Sequence, residues 1–383
     1  MSCLPPERTG VADFAHQLLC SRGNTIRAYA APDAWRAYLA DNPFEITRWR
    51  ARQRDVLEHD AGLDLEGVVV MLGNSSHFVG ICEWMVARRV KLPLLLYLHD
   101  TFLLSLLRLV SPSSEIVAQL SLDHGRKVHL PEQFDDIAPC VERSELGAAV
   151  LTKLARPDLV LVNSLAAKQM IANEPGWPAD VPVEAVFHPV FPASVQWHGS
   201  SPVASRVGSF GVPTPFKRID LIIEAHTIRR ATDTSATLVL AGYGFGDFAT
   251  EHGLAQVPGV EIHDSPSDAK LDRLMASVDI AVQLRSVYLG ETSGMIARLL
   301  AVGTPIIASP RGSTGELGEA IAFLDPSATA AGLAELIAQE LAQPDRRRAI
   351  ARNIVERRTP ENLVSRIQTL AREAASRQRS PTG

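Results

Sequence analysis

Two segments in the second half of the chain combine residue types suited to holding a phosphate group. In VGSFGVPTPFKRID, Val207 to Asp220, an apolar run leads into a Gly/Pro/Thr loop, with Lys217 and Arg218 at the head of a helical pattern. Cations oppose the dipole at a helix N-terminus. Either both side chains reach solvent, or a bound diphosphate compensates them, with lysine acting as a compact positive charge on phosphate oxygens. In GETSGMIARLLAVGTPIIAS, Gly290 to Ser309, Glu291 stands before a second helical pattern, whose start at Ser293, Gly294 and Met295 supplies backbone N–H groups without helical partners. A carboxylate there either caps the helix or points past an anion held by those amides toward a neutral, hydroxyl-rich group such as a sugar.

The first half offers further candidates. In PPERTGVADF, Pro5 to Phe14, Thr9 and Gly10 open a helical pattern; the glycine either forms a simple turn or lets a ligand approach the backbone. His99 and Asp100, in LHDTF, directly follow an apolar run. A histidine there can orient a reacting oxygen or can be a satisfied core residue. Asn163 and Ser164 end LVLVNS, where capping of the next helix is the better explanation. AGYGFGD, Ala241 to Asp247, matches a dinucleotide fingerprint in two glycines, but Asp247 stands where the third belongs, which disfavours a hydride-transfer nucleotide.

These segments sit at the ends of short apolar runs that alternate with helical patterns, the rhythm of parallel βαβ units. Strands are expected at Gly67 to Leu72, Leu94 to Leu98, Leu159 to Asn163, Arg206 to Phe210, Thr237 to Ala241, Asp279 to Leu284 and Thr304 to Ala308. At 383 residues the chain suits two domains of roughly 180 residues each. The proline-rich stretch with Pro182, Pro189, Pro192 and Pro202 reads as a linker at 188–203, between domains 1–187 and 204–383. Two such open sheets are expected to face a cleft at the carboxyl ends of their strands.

Composition narrows the function. A net charge of -5 argues against a nucleic-acid partner. Cys3, Cys20, Cys82 and Cys140 fall in no disulfide or metal spacing and read as reduced thiols, with no metal site. Neither a signal peptide nor a membrane span is evident, so a cytoplasmic protein is expected. RWRARQR, Arg48 to Arg54, reads as a solvated helix face or, alternatively, as a peripheral contact with an anionic membrane.

Taken together, PPERTGVADF, LHDTFL, VGSFGVPTPFKRID and GETSG followed by GTPIIAS resemble the retaining, metal-independent glycosyltransferases of the GT-B fold, family 4. Within that family the wording, LGNSSH included, is most similar to bacterial enzymes of polysaccharide biosynthesis. The resemblance covers most of the chain. It implies an α/β fold of two Rossmann-like, doubly wound parallel-sheet domains facing a central cleft, with the C-terminal helix packing back toward the first domain. It further implies an acceptor-binding first domain and a second domain that binds the donor, a GDP- or UDP-linked hexose. The acceptor would be a glycan, a lipid-linked or a small-molecule hydroxyl, and no cofactor is needed.

By the same resemblance His99, Lys217 and Glu291 are the catalytic set. Gly10, Ser209, Gly211, Arg218, Thr292, Ser293, Gly294, Met295 and Arg298 join Lys217 and Glu291 around the donor, and Thr9, Gly10, Asp13 and Asp100 lie on the acceptor side. Two positions depart from the pattern. The family's second glutamate falls on Leu299, or on Arg298 when counted back from Gly303, and its phosphate-loop arginine is Ser209, for which Arg218, Arg285 or Arg298 could substitute. These losses keep two alternatives in view, a GT-B nucleotide-sugar epimerase and a non-catalytic relative.

Overall fold

The computed structural model describes residues 1–5, 7, 9–20, 26–41, 51–53, 57, 65–88, 91–132, 136–199 and 205–379. They fall into two compact units, one of Met1–His188, Leu289–Thr292 and Pro360–Gly383, the other of Pro189–Tyr288 and Ser293–Thr359.

In the first unit, β1 (Ala28–Ala30) pairs in parallel with β2 (Ala51–Gln53). A four-stranded parallel sheet follows in the order β3 (Val68–Leu72), β4 (Leu94–Leu98), β5 (Leu159–Val162) and β6 (Val183–Ala185). Every residue of β4 is buried, as expected of a central parallel strand covered on both faces. Residues 1–4 join the two ladders, since Ser2 N–H donates to Tyr29 O at 3.2 Å and Met71 N–H to Met1 O at 2.9 Å. The succession β2, β1, residues 1–4, β3, β4 therefore reverses direction beside the N-terminal segment, and the loop leaving that segment carries Thr9 and Gly10. Ligands of doubly wound sheets bind at such reversals.

The second unit holds six parallel strands, β7 (Arg206–Phe210), β8 (Thr237–Gly242), β9 (Val260–Asp264), β10 (Ile280–Gln283), β11 (Ile306–Ala308) and β12 (Ala322–Phe323). Their order is β9-β8-β7-β10-β11-β12, the doubly wound succession, with the reversal between β7 and β10. Successive side chains in β8 point to opposite faces: Leu238 and Leu240 enter one core with Val207, Ile280 and Leu333, while Val239 and Ala241 enter another with Phe210, Met275 and Leu299.

The division differs from the sequence boundaries at both ends of the second domain. The proline-rich stretch is packed, not bare: Trp197 N–H donates to Val302 O and its indole N–H to Val278 O at 2.7 Å. The terminal helix Pro360–Arg379 belongs to the first unit, where it buries Leu363, Val364, Ile367, Leu370, Ala371 and Ala374 at helical spacing. Arg372 pairs with Glu66 at 3.0 Å and Gln378 donates to Asp158 at 2.7 Å. Of RWRARQR, only the backbone of β2 is described; Arg48 to Arg50 and Arg54 lie outside the described residues. Among the described residues no helix is long and apolar enough to cross a membrane.

Candidate functional site

At the reversal of the second sheet, β7 leaves through Gly211, whose φ of +96° is rarely adopted by residues with a side chain. A Cβ there would stand 2.9 Å from Lys217 Nζ and 2.9 Å from Met295 Cγ, so the lysine tip lies against bare backbone. The loop holding it is fixed at two points. Lys217 N–H donates to Thr214 O at 2.9 Å, and Ser286 N–H, beyond β10, donates to Phe216 O at 2.8 Å.

Lys217, Arg285 and Arg311 line one cleft with the hydroxyls of Ser293, Ser309 and Thr314, and no described carboxylate lines it. These residues follow β7, β10 and β11, at the carboxyl ends on either side of the reversal, with Arg285 N–H donating to Ser309 Oγ at 2.9 Å. Ser293 caps the helix Gly294–Val302, accepting from Ile296 N–H at 3.3 Å. A Cβ on Gly294 would meet nothing within 4 Å, so the first turn of that helix is open. Its hydroxyl thus serves the helix, while the backbone amides stay available to an anion. Arg311 lies outside every motif identified above; a cation immediately after an apolar strand, in a Gly/Ser loop, is the signal that marks it.

Glu291 and Thr292 belong to the first unit. Leu289 O accepts from Thr101 N–H at 3.0 Å and Phe102 N–H at 3.1 Å, and Glu291 Oε2 accepts from Leu289 N–H at 2.8 Å. Gly290 has φ +87°, and a Cβ there would come within 2.0 Å of Thr101 Oγ1, so no other residue fits.

Two donor-side expectations change. Leu299 is fully buried in the core, so the helix presents no carboxylate there, whichever way the motif is aligned. The Arg298 guanidinium is already engaged by carboxylates. It donates to Asp272, to Asp268 Oδ1 at 2.8 Å and to Asp268 O at 2.7 Å, which ties the helix Gly294–Val302 to the helix Asp268–Ser277. Burial alone would raise the Asp272 carboxyl; hydrogen bonds from Arg298 and Ser194 more than offset it and hold it below the usual carboxylate range. Ser209 is buried within β7 opposite Leu240, and Arg218 adopts φ +50° at the head of the helix Ile219–Thr232, outside the lining of the cleft. In AGYGFGD, Asp264 Oδ1 already accepts from Gly244 N–H at 2.9 Å, so that amide is not open to a dinucleotide phosphate.

In the first unit Thr9 Oγ1 accepts from Ala12 N–H at 3.0 Å as the cap of the helix Gly10–Cys20, and a Cβ on Gly10 would meet nothing within 4 Å. Asp13 is exposed on the first turn of that helix. His99, at the end of β4, stacks on Tyr97 at 4.7 Å and meets the edge of Phe14 at 4.6 Å. Burial, with a smaller contribution from His188, pushes its imidazole down to about 3. It is therefore neutral near pH 7, and its buried Nε2 has no hydrogen-bond partner among the described residues. A neutral imidazole can pass one hydrogen bond to a hydroxyl without adding charge. Asp100 is a pin for the adjoining loop, accepting from Asn74 N–H at 3.0 Å. Asn163 accepts from Tyr97 OH, and Ser164 caps the helix Leu165–Ala172.

No family model matches the sequence, and no curated protein matches it. Solved structures do match in shape. An α,α-trehalose-phosphate synthase (UDP-forming) from Burkholderia vietnamiensis superposes with a TM-score of 0.60 at 11% identity, over 96% of this chain and 82% of that one. The chain has a GT-B fold. The trehalose 6-phosphate synthase of Burkholderia multivorans gives a TM-score of 0.56 at 12% identity, over 91% of this chain and 78% of that one. A sucrose-phosphate synthase from Thermosynechococcus elongatus gives 0.51 at 16%, over 80% and 74%. At these identities the likeness is one of GT-B fold, and function has to be argued from the site.

Proposed function

We propose that the protein is a retaining glycosyltransferase that moves a hexose from a nucleoside diphosphate sugar, UDP- or GDP-linked, to a hydroxyl of a glycan, lipid-linked or small-molecule acceptor. The observation that carries this reading is the cleft at the β7/β10 reversal, where Lys217, Arg285 and Arg311 converge with three hydroxyls and, among the described residues, no carboxylate. The space enclosed among these side chains is only about 10 Å³, so a diphosphate, the leaving group of a nucleotide sugar, would lie across the mouth of the cleft, where these donors suit its oxygens.

The reaction asks for placement and charge. The acceptor oxygen forms a bond to the anomeric carbon as the bond to the phosphate oxygen breaks, and the acceptor's proton passes to that departing oxygen on the same face. Lys217 and the open first turn at Ser293 to Met295 stabilise the charge that develops there. Thr292 and Glu291 would serve the donor sugar, Glu291 by accepting from its hydroxyls. His99 would contribute a neutral hydrogen bond at the reacting hydroxyl, with Thr9, Gly10, Asp13 and Asp100 on the acceptor side. A bacterial polysaccharide pathway and a peripheral membrane contact remain part of the proposal. A second reading, a non-catalytic relative, is favoured by Leu299 standing in the core where a ribose-binding carboxylate is expected.

Incubation with a panel of UDP- and GDP-hexoses separates these readings. Transferase predicts nucleotide diphosphate release that an acceptor stimulates and Lys217→Ala abolishes; nucleotide-sugar binding without release supports the non-catalytic reading, and an epimerised sugar without release supports an epimerase.

A further inference from the structure

The cleft holds one cation more than the motifs supply. Arg298, the arginine that the sequence offered for the phosphates, bonds Asp268 and Asp272 instead. The Arg311 guanidinium makes no hydrogen bond or ion pair to any described residue, although it lines the same cleft as Lys217. Its backbone is fixed: Arg311 N–H donates to Ser309 O at 2.8 Å and Thr314 N–H to Arg311 O at 3.1 Å. The next residue, Gly312, has φ +51°, and a Cβ there would strike the Tyr288 ring at 2.3 Å, so this turn cannot shift inward. Ser209, buried in β7, cannot supply the arginine that the phosphate loop lacks.

We propose that Arg311 is a diphosphate-binding residue, gripping the nucleotide's phosphates from the β11 side opposite the β7 loop and replacing the missing arginine. Its planar fork offers paired donors to phosphate oxygens that a lysine cannot reproduce. This inference rests on the diphosphate reading of the cleft.

The test is calorimetric titration of the full chain with inorganic pyrophosphate at fixed low salt, comparing wild type with Arg311→Ala, Arg311→Lys, Lys217→Ala and Arg352→Ala. Arg352 is an exposed arginine outside the cleft. The expected result is a loss of about tenfold or more for Arg311→Ala, partial recovery in Arg311→Lys, no change for Arg352→Ala, and an unchanged melting temperature for all. Wild-type affinity in Arg311→Ala alongside weakened binding in Lys217→Ala overturns the role of Arg311 and leaves the diphosphate reading standing. An equal loss in Arg352→Ala reduces the effect to general charge and likewise overturns it. Failure of the wild type to bind pyrophosphate removes the diphosphate reading, and Arg311 with it.

Discussion

Lys217 Nζ rests against the Cα of Gly211, 2.9 Å from where a β-carbon on that glycine would stand. The ammonium group is positioned by the lack of a side chain in its neighbour. Gly211→Ala therefore does two things: it strains a residue at φ +96° and it displaces the lysine tip. The expected outcome is loss of about 1–2 kcal/mol of stability together with weakened nucleotide diphosphate binding, read by denaturant unfolding and calorimetry on the same preparation. Retained affinity in a folded variant would show that the lysine does not depend on this contact.

On the proposed reaction, Lys217→Ala removes charge from beside the leaving group, and the side chain belongs to neither core of the second unit. Turnover is expected to fall by about 10²–10³-fold, with a melting temperature within a degree or two of wild type. The measurement is nucleotide release under saturating donor. Near-normal turnover would remove Lys217 from the mechanism.

Arg298→Ala behaves oppositely. Its bonds to Asp268 and Asp272 hold two helices together, so unfolding should ease by about 1–3 kcal/mol, while nucleotide diphosphate affinity stays at the wild-type value. Leu299→Glu does not restore a ribose-binding carboxylate: the side chain is fully buried, and the variant is expected to lose its fold, seen as loss of near-UV dichroism.

The contrast between Arg298 and Arg311 shows what the sequence could and could not disclose. Apolar runs such as Leu94 to Leu98 and Leu159 to Val162 announce their strands directly, because buried parallel strands need no polar alternation. The edge strands β6, β9 and β12 lack that signal, since each is only partly covered. At the site, Gly211 and Lys217 are legible because a positive-φ glycine and a cation at a helix start are both locally anomalous. The partner of Arg298 lies on the helix Asp268–Ser277, and nothing local to GMIARLL reports it. Arg311 carries no motif at all; only the order of β7, β10 and β11 brings it beside Lys217.

Glu174 supplies a pH dependence. Its carboxylate accepts from Gly147 N–H at 2.7 Å and Ala149 N–H at 2.8 Å, at the start of the helix Ala148–Ala155, and it is almost wholly buried. Burial pushes it up to about 8, against the pull of those amides. The folded state then holds a proton that the unfolded chain releases near pH 4.3, so stability falls as pH rises between about 4.3 and 8, by at most about 1.4 kcal/mol per pH unit. Glu174→Gln should flatten that part of the profile in denaturant unfolding measured across pH. An unchanged slope would assign the dependence to another group.

The four residues Leu289 to Thr292 set the rule for dividing this chain by recombination. They leave the second unit, bond their backbone to Thr101 and Phe102, and return at Ser293. A chimera that exchanges 189–359 as one block would transplant Gly290 and Glu291 into a host whose counterpart of Thr101 was never fitted to them. Although far apart in sequence, LHDTF and GETSG are fitted to each other through Leu289 and Gly290, so a recombinant that keeps them from one parent is expected to fold where one that mixes them is not.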